Sequence, residues 1–358
     1  MLKVFIFAFA GSIVFTWMAI KVAARFRVLD YPDAERKVHS RPIPLLGGVA
    51  VFAAYAMALL VNFHFSWELK GVVTASFFLM ISGLADDVME SSASGRLLIQ
   101  VLCALLVISF GVCLKIVPDQ WPFSRFLEVI ITVIWIVGIT NALNFMDGVD
   151  GLAAGITVIA SGVFFIIAYQ TNQTYFAFLS IALAGASLGF LIFNFYPAKI
   201  FLGDAGSSFL GFSLASLAVM GEWAEKRPIV ALSIPLLVLA VLIFDMVYIS
   251  ASRIFHGKVK TFKEWIEYTG KDHLHHRLMR IGFSQVQAVL FIYLVSVIFA
   301  LSALGLWHAT TAQALLLLLQ GVFILVIVTV LMIVGHGHLQ RRLSLEERLK
   351  EMGEDTPS

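Results

Sequence analysis

Charged residues are scarce in this chain. Asp, Glu, Lys and Arg make up only 13% of its 358 residues, whereas 60% are hydrophobic, and the mean hydropathy is +0.92. A soluble protein of this length needs far more charge on its surface, so the composition excludes that class. A bilayer accepts apolar helices of about 20 residues directly. We therefore expect an all-α, polytopic integral membrane protein.

Cysteine is also scarce, and a cleavage site is lacking. Cys103 and Cys113 fall in one predicted helix, where the helical rise separates them by roughly 15 Å, too far for a disulfide. No small-x-small pattern lies between the first apolar run and the polar stretch after it, which argues against a signal peptide. We expect the first run to be retained as a membrane helix.

Hydropathy predicts about eleven transmembrane helices. They lie roughly at 3–20, 44–63, 71–85, 97–114, 126–143, 151–169, 176–196, 206–220, 229–250, 286–306 and 312–334. We find no internal repeat and no linker that would separate a second domain. Residues 1–335 are therefore expected to form one transmembrane domain with cytoplasmic catalytic loops, and residues 336–358 a cytoplasmic C-terminal tail.

Most Lys and Arg residues fall on one side of these spans, and that side is predicted to be cytoplasmic. With an odd number of spans, the N-terminus is then outside and the C-terminus inside. Asp86, Asp87, Asp147, Asp150 and Asp204 all emerge on this side, although the count of Lys and Arg did not use them.

Asp86 and Asp87 stand where the third span ends. Carboxylates at a helix C-terminus face the negative end of the helix dipole, so a cationic partner is expected. The alternative interpretation is a solvated acidic loop.

Two acids and two amides surround the link between the fifth and sixth spans: Asn141, Asn144, Asp147 and Asp150. Ionisable groups at a membrane edge indicate function by default, and the neighbouring glycines allow close approach of a ligand. In the alternative interpretation these acids cap a helix. We expect one of the two to cap the sixth span in either case.

Asp204 and Ser207 lie in a Gly-rich segment at the start of the eighth span. Free amides at a helix N-terminus bind anions, and a nearby Asp suits a hard cation that bridges to phosphate oxygens. A capped helix start is the alternative.

A histidine cluster occupies the longest cytoplasmic loop: His273, His275, His276 and Arg277. Zinc is disfavoured because no cysteine is near. Imidazole and guanidinium groups instead donate to phosphate and sugar oxygens. Asp245 in the ninth span is open to either a functional or a structural pairing role.

Together these segments resemble the polyprenyl-phosphate N-acetylhexosamine-1-phosphate transferases, in the family's order and over nearly the whole chain. The matching positions are Asp86–Asp87, Asn144-x-x-Asp147-Gly148-x-Asp150-Gly151, Gly203-Asp204-x-Gly206-Ser207 and His273-x-His275-His276. Lys37 and His39, followed by Pro42-Ile43-Pro44 and Gly47-Gly48, resemble the branch that uses UDP-GlcNAc and undecaprenyl phosphate. Glu90 stands at a frequent aspartate position, and EYTGKD replaces a Ser-Pro-Phe segment, which leaves the exact sugar open.

The resemblance implies an enzyme of the bacterial inner membrane with its active site facing the cytoplasm. It would carry Mg²⁺, or Mn²⁺ in its place, and transfer a sugar-1-phosphate from a UDP-N-acetylhexosamine to undecaprenyl phosphate, releasing UMP. Asp204 and Asp147 are the expected metal ligands, Asp86, Asp87, Asp147 and Asp150 the catalytic acids, and the amides, Lys37, His39, Ser207 and the histidine cluster the substrate contacts.

Several alternatives stay open. Within the family they are a phospho-MurNAc-pentapeptide transferase and a deoxy-amino-sugar-1-phosphate transferase. A secondary transporter is the competing class, and a non-catalytic scaffold for lipid assembly is a third. We expect no nucleic-acid partner, and a homodimer is left open.

Overall fold

The regular structure of the described residues is helical apart from one short two-stranded sheet. A computed structural model describes residues 1–32, 41–61, 66–89, 91–118, 120–223, 227–268, 270 and 272–351, without the side chains of 262, 336 and 338–351. The helices are α1 (Leu2–Phe26), α2 (Gly47–Leu60), α3 (Trp67–Met89), α4 (Ala93–Ser109), α5 (Ser124–Met146), α6 (Leu152–Gln170), α7 (Thr174–Asn194), α8 (Gly203–Met220), α9 (Pro228–Val238), α10 (Ala240–Phe255), α11 (Phe262–Glu267), α12 (Leu274–Arg280), α13 (Gln285–Leu304) and α14 (Thr311–Glu351).

Seven helices of the described residues are long and apolar enough to cross a membrane, and the bent pair α9–α10 would make eight. α2 and α4 are apolar but shorter, and α8 is not among the seven. A polytopic membrane protein is thus confirmed, whereas the count of eleven and the orientation of the termini stay predictions.

α8 lies at the centre of the bundle. Every side chain from Ala205 to Ala218 is buried, whereas only 17% of the spanning part of α14 is. Small residues let neighbouring backbones approach α8 closely. A Cβ on Gly83 of α3 would lie 2.4 Å from the Asp204 carbonyl oxygen, and one on Gly48 of α2 would lie 2.2 Å from the Gly206 nitrogen. α2 and α3 are therefore pressed against the first turn of α8.

The ninth predicted span is not one straight helix. α9 and α10 meet at Leu239 with a bend of 78°, and Pro235 lies within α9. The predicted span over 229–250 is therefore divided between two helices and is not continuous.

Two further differences concern helix ends. α4 ends at Ser109, so Cys113 lies outside the helix that holds Cys103, contrary to expectation; both cysteines are free. α14 continues from the last predicted span to Glu351 without a break, so the tail begins as an extension of that helix.

A two-stranded antiparallel sheet joins the segment before α2 to the end of α1. β1 (Leu29–Asp30) pairs with β2 (Ile43–Pro44) in the register Leu29 with Pro44 and Asp30 with Ile43. The carbonyl of Pro44 accepts the Phe201 N–H at 2.8 Å, and Gly47 N–H donates to the Phe201 carbonyl at 3.0 Å. The Pro-Ile-Pro segment is thereby fixed beside the start of α8.

Candidate active site

A cavity of about 940 Å³ opens where the C-terminal ends of α3 and α5 meet the N-terminal end of α8. Its walls carry five carboxylates and three basic side chains. The acids are Asp30, Asp87, Asp147, Asp150 and Asp204, and the bases are Arg41, Lys199 and His276. A second cavity of about 720 Å³ lies at the opposite ends of the helices, and none of the predicted site residues lines it.

The paired acids of α3 have separate partners. Asp86 is 6% exposed and accepts hydrogen bonds from the Arg96 guanidinium at 2.8 Å and from Ser91 N–H at 2.6 Å. Arg96 supplies the cation that the helix dipole led us to expect near these acids. Asp86 does not line the cavity.

Asp87 caps α8 from another helix. Its carboxylate accepts Asp204 N–H at 2.7 Å and Ala205 N–H at 3.2 Å. α8 has no cap of its own, because its N-cap residue is Leu202. An acidic acceptor at a helix N-terminus satisfies open amides and complements the positive end of the dipole. The alternative interpretation, in which Asp or Ser within this segment caps the helix, does not hold, because the cap comes from α3.

Asp204 is held by polar neighbours on both oxygens. Asn144 Nδ2 donates to Asp204 Oδ1 at 2.8 Å and to Ser207 Oγ at 2.7 Å. Arg96 Nη1 donates to Asp204 Oδ2 at 3.2 Å. One amide thus connects the end of α5 to the start of α8, and one guanidinium bridges Asp86 and Asp204.

The acids of the turn between α5 and α6 do not have the capping role that we expected. α6 begins at Leu152 after Gly151, which has φ 80° and no side-chain cap. The left-handed φ suits glycine, and Gly151 N–H donates to Asn194 Oδ1 at 3.0 Å. The expectation that Asp147 or Asp150 caps this helix is therefore wrong. Asp150 instead accepts Ala198 N–H at 2.8 Å.

Asp147 follows the last residue of α5 and faces the other acids. Burial raises the pKa of its carboxyl well above the ordinary value, and the negative charges of Asp204, Asp87 and Asp150 raise this pKa further. The cause is that a charged carboxylate loses hydration there and meets like charges. The acids of the cavity therefore carry an excess of negative charge that a cation would relieve.

Asn141 lies one turn before Asn144 and outside the cavity lining. Its Nδ2 donates to Gln100 Oε1 of α4 at 2.6 Å, and Gln100 Nε2 donates back to Asn141 Oδ1 at 3.3 Å. This reciprocal pair joins α4 to α5. The structure does not bring the predicted substrate contact Asn141 to the cavity.

Of the histidine cluster, only His276 lines the cavity. His273 and His275 are buried, at 7% and 0% exposure. Burial and the neighbouring His276 and His273 lower the pKa of His275 well below its ordinary value, and neither ring nitrogen has a hydrogen-bond partner among the described residues. His275 is therefore a neutral packing residue in this arrangement.

Arg277 also points away from the cavity. Its guanidinium donates to the Asp272 carbonyl at 2.7 Å and to Ser252 Oγ at 3.3 Å, and lies over the Tyr248 ring. These contacts hold α12 against α10, and Arg277 does not line the cavity. The predicted contacts Lys37 and His39, like Glu90, lie outside the described residues.

The donor set suits a hard cation, although the side chains do not form a ready-made metal site. Within the described ranges, no three His, Cys, Asp or Glu residues are grouped closely enough to hold an ion. Mg²⁺ commonly takes one or two protein carboxylates and completes its shell with substrate phosphates and water. Carboxylates that face one cavity and repel one another, as at Asp147, fit that mode of binding.

Sequence reasoning missed three basic residues of this region as site residues. Arg96 lies in the first turn of the helix after the acid pair, and Arg41 and Lys199 line the cavity. All three were used only to predict the orientation. A cation ten residues after Asp86 was a usable signal, because an acid pair at a helix end requires a counter-charge.

Comparison with known proteins agrees with this geometry. The sequence pattern described as glycosyl transferase family 4 matches residues 69–222, which include the acid pair, the α5–α6 turn and the start of α8. The chain is 34% identical over 328 residues to a probable undecaprenyl-phosphate N-acetylglucosaminyl 1-phosphate transferase of Bacillus subtilis, covering 90% of this chain and 88% of that protein.

Two other relatives also match most of this chain. A decaprenyl-phosphate N-acetylglucosaminephosphotransferase of Mycolicibacterium smegmatis is 33% identical, covering 90% of this chain and 85% of its own. A phospho-N-acetylmuramoyl-pentapeptide-transferase of Shouchella clausii is 30% identical, covering 86% and 98%. The chain thus belongs to glycosyl transferase family 4 and, within it, to the polyprenyl-phosphate N-acetylhexosamine-1-phosphate transferases of bacterial membranes.

Proposed function

We propose that this transferase joins GlcNAc-1-phosphate from UDP-GlcNAc to undecaprenyl phosphate at the cytoplasmic face, with release of UMP. The observation that carries the proposal is the convergence of Asp87, Asp147, Asp150 and Asp204 with Lys199 and His276 on one cavity. Fixed acids and bases of this kind suit phosphoryl transfer, which depends on positioning and charge neutralisation. The cavity lies at the helix ends that the Lys and Arg distribution assigns to the cytoplasm.

Asp204 and Asp147 would hold Mg²⁺, which when bound neutralises charge on the pyrophosphate of the sugar nucleotide. Mn²⁺ is an alternative ion. Asn144 keeps Asp204 in place through the hydrogen bond at 2.8 Å. Asp150 anchors the segment after α7 through Ala198, so its part is to shape the wall that carries Lys199. Lys199 and His276 would contact phosphate or sugar oxygens.

In the reaction, a lipid phosphate oxygen forms a bond to the phosphorus attached to the sugar. The bond from that phosphorus to the bridging oxygen breaks, and UMP leaves with the electron pair. A phosphate monoester has a second pKa near ~6 and is mostly dianionic at neutral pH, so a base contributes less than positioning. Asp87 is the candidate base because it lines the cavity. Asp86 does not, and its part is to hold Arg96.

The test is release of UMP by purified protein with undecaprenyl phosphate. UDP-GlcNAc, UDP-GalNAc, UDP-MurNAc-pentapeptide and deoxy-amino-sugar nucleotides are compared side by side. UDP-GlcNAc is expected to give the highest kcat/KM. Preference for UDP-MurNAc-pentapeptide would favour the second candidate, which the Shouchella clausii relative supports, and substrate flux into proteoliposomes without UMP would favour a transporter.

A further inference from the structure

Asp245 of α10 is a buried acid with no place in the reaction described so far. Its residue is 2% exposed, and it does not line the cavity. Its carboxylate accepts a hydrogen bond from His273 Nδ1 at 2.8 Å and from Leu274 N–H at 2.7 Å. Both donors belong to the first turn of α12. The sequence left open whether this acid is functional or only paired.

The two hydrogen bonds constrain the histidine segment in different ways. The Leu274 bond caps α12, whose N-cap residue His273 provides no side-chain cap. The His273 bond fixes the ring, because an ionised carboxylate only accepts and so Nδ1 must donate. A buried carboxylate that lost these donors would be costly. Asp245 therefore determines both where α12 begins and how His273 is turned.

His273 in turn contacts the end of α5. Its ring stacks on Phe145 with centroids 5.1 Å apart, and Phe145 stands two residues before Asp147. His275 lies nearly parallel to His273, at an interplanar angle of 9°. A Cβ on Gly148 would lie 2.9 Å from His275 Nε2. The histidines thus pack against the turn that carries Asp147 and Asp150.

The same short helix places His276 at the cavity. Its ring lies 4.2 Å from that of His275, centroid to centroid, and it lines the cavity with the acids. A shift in the start of α12 would therefore have two effects at once: it would move His276 in the cavity, and it would weaken the packing against the Asp147–Asp150 turn. Displacement of a site by about 1 Å is enough to reduce catalysis strongly.

We infer that Asp245 is a positioning residue, which acts through His273 to hold His276 and the Asp147–Asp150 turn in register for the donor nucleotide. The inference rests on the proposed function. The bend at Leu239 also bears on this site, because α10 begins after the bend and carries the acid that holds the histidine segment. Loss of Asp245 is expected to affect the nucleotide sugar more than the lipid phosphate, because His276 and Asp147 are the proposed contacts of the sugar nucleotide and of its metal ion, whereas the lipid phosphate is assigned to Asp87.

A double-mutant cycle of Asp245→Asn and His273→Phe tests this. Asn still accepts from Leu274 N–H and is a good capping residue, and Phe keeps the stack on Phe145 but has no Nδ1. Each single variant is expected to raise KM for UDP-GlcNAc about tenfold, with KM for undecaprenyl phosphate unchanged, and the double variant to be no worse than the worse single one. Glu128→Gln, at a buried acid near the other end of α5, is the control and should leave both constants unchanged.

Three results would overturn the inference: additive effects of the two substitutions, an unchanged KM for UDP-GlcNAc, or equal changes in both KM values. If Asp245→Asn does not fold, the test rests on His273→Phe alone. An unchanged KM for UDP-GlcNAc in that variant would contradict a role of Asp245 that acts through His273. The cycle is repeated on the unfolding midpoint without substrate, where non-additivity is again expected. Failure of the unsubstituted protein to release UMP would count against the proposed function, whereas this second cycle tests the coupling by itself.

Discussion

The carboxylate of Asp87 lies 2.7 Å from the backbone nitrogen of Asp204, 117 residues further along the chain. One acid of the pair on α3 therefore orients the first turn of the helix that carries the proposed metal ligand. This hydrogen bond joins the end of α3, which carries the acid pair, to the Gly-Asp segment at the start of α8.

The cap can be tested by two substitutions at Asp87. Asp87→Ala removes both acceptor oxygens and should destabilise the protein by about 1 kcal/mol, the usual value of a helix cap. Asp87→Asn keeps one acceptor oxygen for the Asp204 N–H, so it should destabilise the protein less. We expect the alanine variant to need more Mg²⁺ for half-maximal activity than the asparagine variant. Ser284→Ala, which removes the capping box of α13, should lower the unfolding midpoint but leave the Mg²⁺ requirement unchanged. Equal effects of Ala and Asn would argue against a cap.

The pH profile of Asp87→Asn tests its role as a base. Above neutral pH the lipid phosphate is already dianionic, so little activity should be lost. Below about pH 6 a proton must be removed from the lipid phosphate, so the activity of the variant should fall below that of the unsubstituted enzyme. The measurement is UMP release from pH 5 to 9. A severe loss at every pH would favour another role, such as a covalent aspartyl nucleophile.

Metal dependence is the readout for Asp204. Asp204→Asn removes an anionic ligand and should raise the Mg²⁺ concentration for half-maximal activity at least about tenfold, and weaken Mn²⁺ binding measured by electron paramagnetic resonance. Glu222→Gln, at the opposite cavity, should leave both measurements unchanged. If Asp204→Asn keeps the original magnesium dependence, the assignment is wrong.

Asp147 should contribute less to the stability of the metal-free protein at neutral pH than at acidic pH. Its pKa is raised in the folded state, so between the ordinary aspartate value and the raised value the folded protein holds a proton that the unfolded chain has lost. Stability therefore falls as the pH rises through this window. In EDTA, Asp147→Asn should raise the unfolding midpoint at pH 8 and have little effect below the ordinary aspartate pKa. The prediction fails if the variant is destabilised at pH 8 without metal.

Gly148 should tolerate no side chain, because a Cβ there would lie 2.9 Å from His275 Nε2. Gly148→Ala must push the buried imidazole or the acidic turn aside, and we expect kcat to fall by up to about a hundredfold. Gly162→Ala, where nothing lies within 4 Å of the new Cβ, is the matched control. Full activity of Gly148→Ala would show that the contact has no part in positioning the turn.

The sequence alone determined the class of protein and most of the cavity's acids. Low charge and long apolar runs require a bilayer, and this is a property of composition that no packing detail can change. Asp87, Asp147, Asp150 and Asp204 could be named because carboxylates at the ends of membrane helices are costly and therefore informative. Their order along the chain also carried the family resemblance, which the comparisons confirmed.

Only the tertiary structure decided what each polar side chain touches. Hydrogen bonds such as Asp87 to Asp204 and Asp245 to His273 join residues far apart in sequence, and local patterns specify helices rather than the contacts between them. The same reason explains why Arg277 and Asn141 do not line the cavity: a donor binds whichever acceptor the packed helices bring near it. The cap of α8 by Asp87 likewise depends on a neighbouring helix, so composition and spacing could not reveal it.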